Sequence, residues 1–170
     1  EVADGLLPHG FATEKYLTEV LIPALKRGAQ KAGRSMSEIE IAGGGMLVIG
    51  ENESEIEQEL EKLRQPISFY GSTRTYHGVF RAHGREELGM RLHEMSLKGQ
   101  WAEMRQIIPE EVLPEFALKA TWETLPRVLR EHRWYASRVT LRIPAETPAQ
   151  RERARWLIDE IHKIPPPTWN

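Results

Sequence analysis

Glu1-Val2-Ala3-Asp4-Gly5-Leu6-Leu7-Pro8-His9-Gly10-Phe11 opens the chain as an apolar run with Asp4-Gly5 inside it, closed by a proline and a glycine loop. A short apolar run bounded by turn residues is the pattern of a strand covered on both faces, as in a parallel sheet. No methionine precedes it, so further chain is expected upstream. Working outward, Thr13 is placed to cap a helix in which Tyr16, Leu17, Val20, Leu21, Ala24 and Leu25 recur at helical spacing until Gly33. Pro23 has no N–H to give, which predicts a kink or a division of that helix. Ser35 and Glu38 then have capping-box spacing. Ile39, Ile41 and Met46-Leu47-Val48-Ile49 flank Gly43-Gly44-Gly45 as a second strand ending near Gly50.

Ser54 and Glu57 repeat the capping-box spacing, and Ile56, Leu60, Leu63 and Ile67 follow as a helical stripe. Gly71, Gly78 and Gly84 punctuate the next stretch into turns. From Glu86 to Leu118 the apolar residues predict two or three short helices broken by Gly99, Pro109 and Pro114. Thr121 is expected to cap a helix running to about His132. Val139-Thr140-Leu141-Arg142-Ile143 alternates as a third strand, and Thr147-Pro148 opens a last helix. Strands alternating with helices imply an α/β fold with a parallel sheet. With no internal repeat or linker, residues 1–170 are expected to form a single domain.

The charges nearly cancel, 23 Lys and Arg against 25 Asp and Glu, so no global field recruits nucleic acid or an anionic membrane surface. A small-molecule or protein partner is the expectation. The absence of cysteine excludes disulfides and thiolate chemistry and fits a cytoplasmic protein. No run reaches the ~18 apolar residues of a membrane span. The six histidines show neither HExxH nor a Cys/His pattern, so no metal is expected, and no GxSxG elbow is present. The glycine triplet lacks the lysine of a phosphate loop and precedes strand residues rather than a helix, which predicts a bulge or a close backbone approach.

Three segments, VADGLLPH at 2–9, AGR at 32–34 and ISFYGSTRTYHGVFRAHG at 67–84, in that order and spacing resemble the second half of a luciferase-like oxidoreductase, most closely its F420-dependent branch. The resemblance implies a (β/α)8 fold, the three expected strands being the sixth, seventh and eighth with a helical insertion before the last. A complete barrel needs ~250 residues, so this chain amounts to a partial TIM barrel. What the resemblance further implies is hydride transfer between coenzyme F420 and an organic substrate, or, in the other branch, FMN-dependent oxygen activation. The first five strands would supply most of the ring pocket. No catalytic residue is therefore carried over, and the 170-residue chain by itself is expected not to turn over. Its unpaired edges would be met by the missing N-terminal half of the barrel or by a second copy in a homo-oligomer. A non-catalytic protein-interaction module, with the helices from Glu86 to His132 folded over a small sheet, is the rival.

Functional groups of (β/α)8 enzymes lie at the C-terminal ends of the strands, which selects the loops at 8–13, 50–52 and 144–147. The first combines an imidazole, a flexible glycine and a helix N-terminus, making His9, Gly10 and Thr13 the expected cofactor contacts. Arg142, alternating with Leu141 and Ile143, is expected to point into the barrel toward a phosphate or carboxylate, or to pair with a neighbouring strand's carboxylate. Arg74, Tyr76 and His77 either reach a ligand or anchor a surface loop. Phe11 is expected to pack on the helix, and Thr147 to cap.

Overall fold

Strands are short and paired in twos in the computed structural model, which describes residues 2–169. Strand β1 (Gly5–Leu6) runs parallel to β2 (Glu40–Ile41), with Gly5 opposite Glu40. A Cβ on Gly5 would sit 2.8 Å from the Glu40 carbonyl oxygen, so the pair closes only around glycine. The expected strand over Val2–Pro8 shrinks to this pair. Val2 and Leu7 are 96 % and 80 % exposed and lack the two-sided cover that the apolar run suggested.

Thr13 caps the following helix as expected, its hydroxyl oxygen accepting from the Tyr16 N–H at 3.2 Å. Pro23 divides that helix without breaking it. Helix α1 (Glu14–Tyr16) passes into a π-turn at Leu17–Leu21 and then α2 (Ile22–Lys31), with the proline in the first turn of α2. The wide turn ends where the Ile22 N–H reaches back five residues to the Leu17 carbonyl, just ahead of the residue that has no N–H. Gly33 ends α2 with a φ of 66°, and the Ser35–Glu38 capping box is present.

The expected second strand is split. Gly43, Gly44 and Gly45 have φ of 76°, 111° and 75°, and the chain leaves β2 to enter β3 (Met46–Gly50) in a different sheet. Three successive left-handed residues are tolerable only for glycine. Helix α3 (Glu53–Lys62) follows, capped by Asn52 rather than Ser54: the Asn52 side chain accepts from Glu55 N–H at 3.0 Å. Then come α4 (Arg64–Gly71), a turn at Arg74–Tyr76, α5 (His77–Ala82), α6 (Glu86–Leu97), α7 (Trp101–Met104) and α8 (Leu113–Phe116). This helical insertion encloses the largest apolar cluster, in which Phe11 is fully buried among Ile67, Phe80, Leu92, Leu113 and Phe116.

The insertion precedes the last strand, as expected, but that strand is β4 (Ala117–Thr121), parallel to β3 from Met46↔Ala117 to Gly50↔Thr121. Ala-Leu-Lys-Ala-Thr carries little strand propensity, and Thr121, expected as a helix cap, instead ends the strand. Helix α9 (Leu125–His132) starts after Thr124. Residues 139–143 are not a strand. One bridge, Arg138 to Ala42, joins this segment to β2, and Val139, Leu141 and Ile143 pack on the cluster formed with α9 and α10 (Pro148–His162). Alternation reports half-burial, and a strap laid across helices is half-buried too; a ladder needs a neighbouring strand, and β2 has turned away at its glycines. Thr147 caps α10 in a full capping box with Gln150. The result is an α/β arrangement of short parallel strands and many helices that closes no barrel among the described residues. None of the described helices is long and apolar enough to cross a membrane.

Candidate functional site

The chain leaves β1 through Pro8, His9 and Gly10, and leaves β2 through Ala42 and the glycine triplet, so these two exits form the C-terminal end of the first sheet. His9 is exposed. Its Nδ1 accepts from the Phe11 N–H at 3.1 Å, which leaves Nε2 to carry the proton and to donate outward. The ring is held edge-on to Tyr70, 4.6 Å between centroids, and lies 5.1 Å from Tyr76. The loop after β1 and the 67–77 tract, which sequence spacing left as separate candidates, therefore meet at His9. Gly10 is exposed, with open space where a Cβ would stand.

Thr13 faces inward, 2 % exposed, with Oγ1 2.8 Å from His83 Nε2. The other His83 nitrogen lies 3.5 Å from Glu115, which is itself held at 2.8 Å by Arg85. With Thr13 Oγ1 accepting from the Tyr16 N–H, its hydroxyl proton remains available to donate to Nε2. That arrangement suits a neutral His83 protonated on Nδ1 toward Glu115. Burial disfavours the imidazolium and pushes the His83 pKa down, against the opposing pull of Glu115. Thr13 is thus the inner end of a Thr–His–Glu–Arg chain that fastens the start of α1 to the insertion.

Arg142 is exposed and sits in a different surrounding, a cavity of about 470 Å³ shared with Glu59, Lys62 and Trp122. Among the described residues it makes no hydrogen bond or ion pair, so the pairing with a strand carboxylate is absent. Its neighbours Leu141 and Ile143 pack inward, but on helices rather than beneath a barrel. His77 turns into the helix interface beside Gly89, with its pKa pushed down by burial first and by His93 second; Arg74 is exposed. The other two expected loops are structural. Glu51 pairs with Arg153 at 2.6 Å, Asn52 caps α3, and Thr147 caps α10.

Sequence spacing missed Arg133. It stands at the end of α9, where a basic residue reads as a favourable partner for the helix carbonyls, yet it is 93 % buried by its 7 % exposure. Its Nη1 donates to Tyr135 Oη at 3.2 Å and to the His132 carbonyl at 3.4 Å. A Cβ on Gly45 would lie 2.5 Å from its Nη2. The glycine triplet was the one available signal: a close approach was expected there, and the approaching group is this guanidinium.

The chain is 38% identical over 130 residues to Uncharacterized protein Rv1360 of Mycobacterium tuberculosis, an overlap of 76% of this chain and 38% of that protein. Uncharacterized protein Mb1395 of Mycobacterium bovis matches with the same identity and coverage. The chain thus spans well under half the length of these relatives. In fold it is similar to the coenzyme F420 dependent tetrahydromethanopterin reductase from Methanopyrus kandleri, with a TM-score of 0.63 at 20% sequence identity, covering 96% of this chain and 45% of the reductase. The family model described as luciferase-like monooxygenase matches residues 1–140. The chain belongs to the luciferase-like monooxygenase family.

Proposed function

We propose that this chain is the C-terminal part of an oxidoreductase that uses coenzyme F420 and transfers a hydride between the deazaflavin and an organic substrate. The observation that carries the proposal is the likeness of fold, over 96% of the chain, to a reductase that depends on that coenzyme. The residues at the sheet end are compatible with a coenzyme edge: an exposed imidazole with one uncommitted nitrogen, next to a glycine with open space above it. F420, when bound, supplies the redox chemistry, and the protein supplies position and electrostatics. His9 would donate from Nε2 to a carbonyl or phosphoryl oxygen, and Gly10 would let the ligand approach the backbone. Thr13 would hold that loop through His83, and Arg142 would add positive charge from the strap. A cytoplasmic location, and completion by the rest of the barrel or by a second copy, belong to the same proposal.

Membership of a monooxygenase family favours a second version in which FMN takes the place of F420. Titration with oxidised F420 and with FMN, read by coenzyme fluorescence, separates the two. The expected result is saturable F420 binding by this chain when it is preceded by the part of the mycobacterial relative that it does not cover, weakened about tenfold by His9→Ala, the worth of one hydrogen bond to a charged group. Hydride transfer is expected of that restored protein and not of the 170 residues alone. Binding of FMN without F420 selects the second version, and binding of neither overturns both.

A further inference from the structure

We propose that Arg133 and the glycine triplet form a binding site for a small oxyanion, a phosphoryl or carboxylate group, in the cavity between the exit of β2 and the 139–141 strap. The cavity has a volume of about 200 Å³ and is walled by Leu7, Pro8, Leu47, Leu129, Val139 and Leu141. Arg133 is the single charged residue among the described residues that line it, and Thr140 adds a hydroxyl-bearing side chain. A buried guanidinium without a counter-charge is costly, and an anion removes that cost.

The groups that might already neutralise Arg133 are engaged elsewhere. Glu14 and Glu115 share a neighbouring cavity with it, but the Glu14 carboxylate is 3.0 Å from His132 Nδ1 and the Glu115 carboxylate is 2.8 Å from Arg85. Arg133 takes part in no ion pair among the described residues. Its Nη1 is spent on two neutral oxygens, which leaves the Nη2 edge, the one against Gly45, for a ligand. Of the triplet's amides, Gly43 donates to the Arg138 carbonyl at 2.7 Å, while those of Gly44 and Gly45 donate to no acceptor among the described residues. A forked cation beside two uncommitted backbone N–H groups is donor chemistry suited to an oxyanion. The volume falls below the roughly 300–1,000 Å³ of sites that take whole drug-sized molecules, so the pocket fits one anionic group and not a ring system.

This site stands apart from the coenzyme reading, because it needs neither F420 nor turnover. The test is a titration of the chain with sodium phosphate replacing chloride at constant ionic strength, followed by ³¹P line width and by tryptophan emission, Trp134 being adjacent in sequence. Saturable binding is expected, weakened at least about tenfold in Arg133→Met and unchanged in Arg27→Met, which removes an exposed charge. Should Arg133→Met fail to fold, Arg133→Lys keeps the charge but loses the fork, and Gly45→Ala displaces the guanidinium; both are expected to weaken binding. Unsaturable broadening, or equal binding in the arginine variants, overturns the site and leaves Arg133 as a helix-end residue. Competition identifies the source. Displacement of phosphate by FMN but not by riboflavin assigns the anion to a coenzyme's phosphoryl group; displacement by neither assigns it to a free or substrate anion.

Discussion

The helical insertion and the sheet end of this molecule are built on opposite terms. In the insertion, nine other buried apolar residues among those described close around Phe11, whose ring lies 4.8 Å from Phe116, 5.4 Å from Tyr76 and 5.7 Å from Phe80. At the sheet end, two-residue strands are joined by one register, Leu7 is largely exposed, and a buried arginine sits among glycines. The difference teaches that dense packing and uncommitted polar donors are segregated. Packing density holds the insertion together, whereas the sheet end keeps its open backbone and uncommitted donors by forgoing that density. The His9 loop bridges the two, since Phe11 anchors in one region what His9 presents in the other.

Phe11→Ala is expected to have the largest effect, about 3–5 kcal/mol, because it empties the centre of the aromatic cluster. Leu7→Ala, at an exposed site four residues earlier, should stay within about 0.5 kcal/mol. Urea denaturation of the two variants checks the contrast, and similar costs would break the division between the regions. Gly44→Ala comes next. Its Cβ would stand 2.7 Å from Leu17 Cδ1 at a φ of 111°, and strain of this kind costs of order 1–3 kcal/mol. A variant as stable as the parent would mean that the sheet end rearranges freely.

How much of this was legible in the sequence follows the same division. Caps at Thr13, Ser35 and Thr147 were readable because a hydroxyl two or three residues before its N–H partner is a local device. The stop at Gly33 and the break at Pro23 are local too. The parallel α/β order and the strand residues at 5–6, 40–41 and 46–50 are readable from their apolar runs, but β4 is not, and the alternation at 139–143 mimics a strand, because strand identity depends on which neighbour offers a ladder. That His9 and Gly10 follow the end of a strand was legible from the apolar run before them. The meeting of His9 with Tyr70 and Tyr76, the Thr13–His83 bond across 70 residues, and Arg133 under Gly45 are long-range contacts that no periodicity announces.

The Thr13–His83–Glu115 chain joins the two regions and gives a pH-dependent test. Thr13→Ala removes a cap and is expected to cost about 1 kcal/mol. In the intact protein the folded-state pKa values of His83 and His77 lie below the ordinary histidine value. Above that value both the folded and unfolded states are neutral there, and the contribution is fully present. As the pH falls below it the unfolded chain takes up protons that the folded one resists, so stability is lost with acidification. His83→Gln should flatten this acid limb in urea midpoints compared at pH 8 and pH 5, and an unchanged slope would place the sensitivity elsewhere.

The smallest expected effect is at Arg142, and its smallness is informative. An exposed guanidinium without a hydrogen-bond or ion-pair partner among the described residues has little to lose, so Arg142→Ala should shift stability by no more than about 0.5 kcal/mol. If it also leaves F420 binding by the restored protein unchanged, the strap acts only through Val139, Leu141 and Ile143, which cover the α9–α10 cluster. If binding weakens while stability holds, Arg142 belongs to the sheet end in function although its backbone is no strand. A large loss of stability would contradict both outcomes, since it would require the strap to be held by the residue that faces away from its packing.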